Sequence, residues 1–202
     1  MPDVSPPYAT DPDNGDLLYA YKPALLGAPH EFRLSQDALG WRSGGRALRI
    51  PYDRIRRLRL SFRPVTLQSY RFLAEIWPTS GPKMQIASTS WRSLVEHERL
   101  DRAYAAFVTE LGRRVAAAGA AASFETGTSP VLYWPGLSLF VVVALALAAL
   151  VVRALQSAET TGAALVAVFL AVFLWQVGGF FRRNRPGTYR PEAVPAEVLP
   201  KP

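Results

Sequence analysis

Arginines at positions 54, 56, 57 and 59, continued by Arg63, are the densest group of like side chains in this sequence. A guanidinium is always charged, and its planar fork matches phosphate and carboxylate oxygens. Strand side chains alternate between two faces. A strand here therefore puts Leu58, Leu60 and Phe62 on one face and Arg57, Arg59 and Arg63 on the other. Three readings of that stripe are open. One is a solvated face that keeps the protein soluble. Another is contact with anionic lipid, where each basic residue near the surface contributes about 1 kcal/mol. The third is a specific headgroup pocket or a protein-binding site. The candidate contacts are Arg54, Arg56, Arg57, Arg59 and Arg63. No further signature points to a specific headgroup pocket.

Other chemistry is sparse. Without cysteine there are no disulfides, thiolate metal sites or cysteine nucleophiles. His30 and His97 are the only histidines, and their separation is not that of a metal site. The run Asp11, Pro12, Asp13, Asn14, Gly15, Asp16 resembles the opening of a calcium loop. Its Gly comes one position early, and Lys22 stands where the closing Glu belongs. There is no phosphate-cradling Gly loop and no Ser-His-Asp order. Glu96, Glu98 and Asp101 suit the start of a helix, and Trp41, Trp77 and Trp91 read as core or rim residues. The chain reads as a non-enzyme with no cofactor and no metal.

The formal net charge is +7. Residues 1–130 carry 17 basic against 13 acidic side chains, and residues 182–202 carry five against two. Basic excess on either side of an apolar region favours a membrane surface over nucleic acid as the partner.

Several elements are needed to position these residues. Residues 1–16, rich in Pro, Asp and Ser, read as disordered and do not have the pattern of a signal peptide. From residue 31 the apolar period is two: Phe32 and Leu34, Leu39 and Trp41, Leu48 and Ile50, then Leu58 to Phe62. Ser43, Gly44 and Gly45 form a turn. Further strands are predicted over 69–77 and from Met84, with a turn over 78–82. Ser93 and Glu96 fit a capping box. Beyond them Leu100, Tyr104, Phe107, Val108, Leu111 and Val115 line one helix face, which Gly119 can end. Short strands at close spacing predict an antiparallel meander. The soluble domain is placed at 17–120, with a linker over 121–130.

Over residues 30–118 the chain resembles bacterial pleckstrin-homology-like (PH-like) domains. The residues that carry the likeness are Phe32, Arg33, Leu34 and Ser35 with Ala38, Leu39, Gly40 and Trp41. Ile50, Pro51, Tyr52, Asp53, Arg54 and Ile55 then lead into a strand, and the closing helix runs through Tyr104, Phe107 and Leu111. The resemblance implies an α+β fold: an antiparallel, partly open PH-like β-barrel capped by one C-terminal helix. It also implies a binding or scaffolding role. Bacterial proteins of this kind often carry two transmembrane helices. In those the helical pair commonly precedes the domain, whereas here it follows.

Residues 131–152 are a 22-residue stretch without charge, and residues 162–181 are a second one of 20. Either is long enough as a helix to span about 30 Å of hydrocarbon. The connector, 153–161, forces an antiparallel hairpin. Arg182, Arg183 and Arg185 follow the second span, and only Arg153 lies in the connector, so both termini are expected in the cytoplasm. Ala144 and Ala148 with Ala163, Ala167 and Ala171 recur at helical spacing and form a candidate seam for close helix packing. Gln176, the only amide in either span, either bonds across helices or sits near the interface. Residues 182–202, basic and Pro-rich, read as a disordered tail.

The expected protein is thus a binding or scaffold module anchored in the bacterial inner membrane. Its partners would be the bilayer, anionic lipids, and an unknown membrane protein or a second copy of itself. The alternative is an accessory subunit of a transporter or envelope-assembly complex that acts through the hairpin.

Overall fold

Alternation of apolar and polar residues builds the first sheet. The computed structural model describes residues 9–11, 14–64, 70–92, 97–119, 121–157 and 159–200. Strands β1 (Ala9–Thr10), β2 (Leu17–Tyr21), β3 (His30–Leu34), β4 (Ala38–Ser43) and β5 (Arg46–Pro51) pair antiparallel in chain order. Tyr19, Phe32, Leu34, Leu39 and Ile50 all point to the buried face. Gly44 and Gly45 have φ of 53° and 80°, which a two-residue hairpin turn requires and which other residues rarely adopt.

A 3-10 turn, Tyr52–Arg54, leads into β6 (Ile55–Pro64), followed by β7 (Tyr70–Pro78) and β8 (Met84–Ala87). These three pair antiparallel. Strands β9 (Thr89–Trp91) and β10 (His97–Arg99) form a separate two-stranded ladder. Helix α1 (Asp101–Ala117) buries Tyr104, Phe107, Val108, Leu111 and Val115, the face expected from their spacing. Gly119, at φ 68°, follows its end. The helix begins at Asp101, however, with Leu100 as its cap. His97 belongs to β10 rather than to the helix, and the capping box at Ser93 and Glu96 falls outside the described residues.

The chain then continues through β11 (Ser123–Thr126), α2 (Pro130–Gln156), α3 (Thr160–Arg183) and β12 (Gly187–Thr188). The second sheet has the order β12-β11-β6-β7-β8. Its β11 runs parallel to β6, whereas the other described strand pairs are antiparallel.

The chain divides into two units, residues 1–126 with 187–202, and residues 127–186. In the first, the α+β class with antiparallel sheets is as expected. The barrel is not closed. No ladder joins the two sheets among the described residues. Instead Tyr19 and Tyr21 donate their hydroxyl hydrogens to the carbonyls of Ala87 and Gln85, at 2.6 and 2.7 Å. Trp91 N–H donates to Lys22 O at 3.1 Å beside them.

Three segments read as unstructured are ordered. Residues 9–10 pair with β2. Residues 123–126, inside the expected linker, form β11. Within the expected tail, β12 pairs with β11, Tyr189 packs edge-on against Phe124, and Val198 lies in the core at 2% exposure. The 3-10 turn Ala196–Val198 packs against β6. Local composition predicted disorder for this tail, but a few apolar side chains gain burial from an already formed sheet, which no local pattern records.

The second unit is a helical hairpin. Helices α2 and α3, of 27 and 24 residues, are long and apolar enough to cross a membrane. They extend past the spans expected at 131–152 and 162–181, and shorten the connector to residues 157–159. Pro130 opens α2 at a position where no N–H is needed. The helices meet through aromatic rings. Phe140 lies 5.1 Å from Phe173 and 5.4 Å from Phe181, centroid to centroid. Tyr133 donates to Phe181 O at 3.3 Å. The Phe181 ring packs over Gly136, 3.4 Å from where a Cβ would stand.

Candidate functional site

In the register of β6 on β7, Leu58, Leu60 and Phe62 face Ile76, Ala74 and Phe72 in the core. Arg57, Arg59 and Arg63 fall on the opposite face, as their spacing predicts. The ladder shifts between Ile55 and Arg57, so Arg56 stands at a bulge. Arg54, Arg56 and Arg63 are exposed.

Arg57 and Arg59 are not free. Glu125 on β11, opposite Arg59 in the parallel pairing, forms an ion pair with both. Its Oε2 takes Arg59 Nε at 3.0 Å and Nη2 at 2.6 Å, and its Oε1 lies 3.1 Å from Arg57 Nε. Side-chain exposure falls to 12% for Arg59, against 42% for Arg57. The stripe therefore divides into an internally neutralised pair and three outward cations.

Trp77 on β7, directly across from Arg57, gathers this cluster. Its ring lies 5.4 Å from the Arg57 guanidinium, 5.0 Å from that of Arg59 and 5.4 Å from Lys83 Nζ. The negative face of an indole attracts cations at this range. Glu75, buried, accepts from Lys83 Nζ at 2.7 Å and Gln85 Nε2 at 3.2 Å. Arg57, Arg59 and Lys83 thus balance Glu75 and Glu125 to within one charge.

Further along the same face, Arg63 stands directly opposite Arg71. Among the described residues, Arg71 Nε and the Oγ of buried Ser61 have no hydrogen-bond partner. Two like charges across one strand pair repel, so this end of the face is the more electropositive.

A second polar cluster was not legible in the sequence. Arg114 of α1 donates Nη1 to the carbonyls of Leu34 and Ser35 at 2.9 and 2.6 Å, and its Nε to Glu110 at 2.7 Å. Tyr52 donates its hydroxyl hydrogen to Ser35 O at 2.7 Å. Arg113 also pairs with Glu110, and the two arginines hold that carboxyl below its ordinary pKa. Beside them an open cleft of about 660 Å³ is lined by Asp16, Asp37, Tyr52, Asp53, Arg113 and Arg114, among others. Asp11 and Asp16 turn toward Arg33, at 2.9 and 3.4 Å, so these two carboxylates of the calcium-like run serve an arginine.

The remaining residues singled out above are dispersed. His30 begins β3 and packs edge-on against Trp41 and Tyr21, each 5.6 Å away, and burial lowers its pKa. Glu98 lies in β10 and pairs with Arg92, while Asp101 opens α1. Arg182 and Arg183 end α3, with Arg185 exposed just beyond. Of the alanines read as a seam, Ala163 is buried and Ala144 and Ala148 are half-buried, whereas Ala167 and Ala171 are exposed.

Comparison with models of known protein families, with curated proteins and with solved structures finds no match.

Proposed function

We propose that this chain is a membrane-anchored binding or scaffold protein that presents a PH-like domain at the cytoplasmic face of a bacterial inner membrane. The observation that carries this reading is the hairpin surface. Val131, Leu145, Leu165, Phe169 and Trp175 are all exposed, and so are apolar side chains around the rest of both helices. Soluble proteins seldom expose contiguous apolar patches above a few hundred Å². A bilayer covers such a surface on every side.

The chain enters the hairpin from β11 and returns to β12, two paired strands of one sheet. The domain therefore shares a side with Arg182, Arg183 and Arg185, the basic flank that stays in the cytoplasm. The meander β2 to β5, the meander β6 to β8 and the following helix α1 support the PH-like reading. The outward cations Arg54, Arg56 and Arg63 support anionic lipid as a ligand of the domain.

Alkaline carbonate washing of membranes, followed by protease treatment of inverted vesicles, tests the proposal. The chain should stay in the pellet and lose its domain to protease added at the cytoplasmic face. Release by carbonate would end the membrane reading, and protection of the domain would reverse the orientation.

A further inference from the structure

We propose that two copies of this chain pair through the outer face of α3, with Gln176 set against its own counterpart. The inference rests on the membrane reading above.

Apolar side chains surround α3, so hydrophobicity alone selects no face for contact. A hydrogen-bonding group does. Within lipid, association of helices depends on packing and on polar groups that find partners across the interface. Gln176 carries the only carboxamide within the apolar spans 131–152 and 162–181; the other carboxamide of the two helices, Gln156, is the last residue of α2. It is offset from the side of α3 that meets α2, which is defined by Phe173, Gly178 and Phe181. Among the described residues no hydrogen bond of the hairpin engages its side chain, whereas Tyr133 and Asn184 both bond to α3 carbonyls. At 1.5 Å per residue it lies about 10 Å from the Arg183 end of the helix. That depth is inside the hydrocarbon, where an unpaired amide is costly.

The neighbouring residues on this face suit a helix contact. Val172, one turn earlier, and Phe169, two turns earlier, are exposed. Gly179, three residues later, has nothing within 4 Å of where a Cβ would stand, so a second backbone can approach there.

A second copy is the occupant that these features favour. All copies insert with one topology, so α3 of one runs parallel to α3 of another. In a parallel twofold pair each residue meets itself at equal depth. A carboxamide both donates and accepts, so two Gln176 side chains satisfy each other. An unrelated helix would need its own polar group at that depth.

The chain has no cysteine, so disulfide mapping in native membranes requires no background substitutions. Single variants Phe169→Cys, Val172→Cys and Gly179→Cys, all of which keep Gln176, should form disulfide dimers on mild oxidation. Ala167→Cys and Ala171→Cys, on a neighbouring flank, should not. In Val172→Cys, adding Gln176→Leu should weaken dimerisation about 3- to 30-fold. Gln176→Asn should retain most of it.

Monomers at all five positions, in protein that resists carbonate, would overturn the pairing and leave the membrane reading intact. Dimers only at Ala167 and Ala171, or adducts with another protein at Val172→Cys, would overturn it too. Release of the chain by carbonate would overturn both.

Discussion

Glu125 binds Arg59 across 66 residues of sequence, taking Nε and Nη2 on one carboxylate oxygen. The contact exists because β11 lies parallel to β6 with these two residues in register. Glu125→Gln should leave a largely buried guanidinium without its anion and cost about 1–3 kcal/mol. A lower unfolding temperature of the purified protein would report it. Replacing both partners, Arg59→Leu with Glu125→Leu, should recover much of that loss, since no stranded charge remains.

The outward arginines make a separate prediction. Arg54→Glu, Arg56→Glu and Arg63→Glu together should deplete anionic lipid from the purified protein without lowering its unfolding temperature. At about 1 kcal/mol for each residue near a charged surface, the triple change should exceed tenfold. Lipid mass spectrometry after gentle detergent extraction measures this. An unchanged lipid profile would assign the face to solubility alone.

Val198 ties the C-terminal segment into the core. Val198→Ala removes two methyl groups from a closed site and should cost about 1.5–3 kcal/mol. Thermal unfolding should shift down by several degrees. Limited proteolysis with a glutamate-specific protease should then cut first after Glu192, exposed in the turn that returns the chain to β6.

Glu110 gives the fold an acid limit. Its folded pKa lies below the ordinary 4.5 because Arg113 and Arg114 donate to it. For a depressed carboxyl, the stabilisation is present above the unfolded value and is lost as pH falls through the folded one. Stability should therefore decline below about pH 4.5, with about 1 kcal/mol of the loss due to this residue. Glu110→Gln should lower stability at neutral pH and flatten that part of the acid limb in urea titrations at stepped pH.

The parts of the fold visible in the sequence were those with one buried face. Phe32 and Leu34, Leu39 and Ile50, and Leu58 to Phe62 alternate because their partners are hidden and their neighbours are not. The same logic placed Tyr104, Phe107 and Leu111 on the inner side of α1. Tyr19 and Tyr21 obey it as well, but the Pro- and Asp-rich stretch before them masked the strand. Strands β11 and β12 were not legible. They are four and two residues long, and they exist only because β6 offers an edge. The arginine stripe was legible as a face, but its neutralisation was not. Period two says where Arg57 and Arg59 point; it says nothing about which distant residue arrives beside them. The meeting of Phe140 with Phe173 and Phe181 was hidden for a related reason. In helices apolar all round, the chosen side depends on the fit of rings against Gly136 and Gly178.

Strand β12 and Val198 follow both long helices in the chain, yet they complete the sheet and core begun by residues far ahead of them. A ribosome delivers residues in order, at roughly 5–20 each second. The first domain thus emerges several seconds before its last pieces, and it must wait with β11 unpaired on one side while the hairpin is made. Its native state becomes reachable only after α3 has turned back. Completion of the domain is in this way timed by synthesis of the hairpin, and a chain that stops short of residue 187 is left with β11 unpaired on that side and a core without Val198.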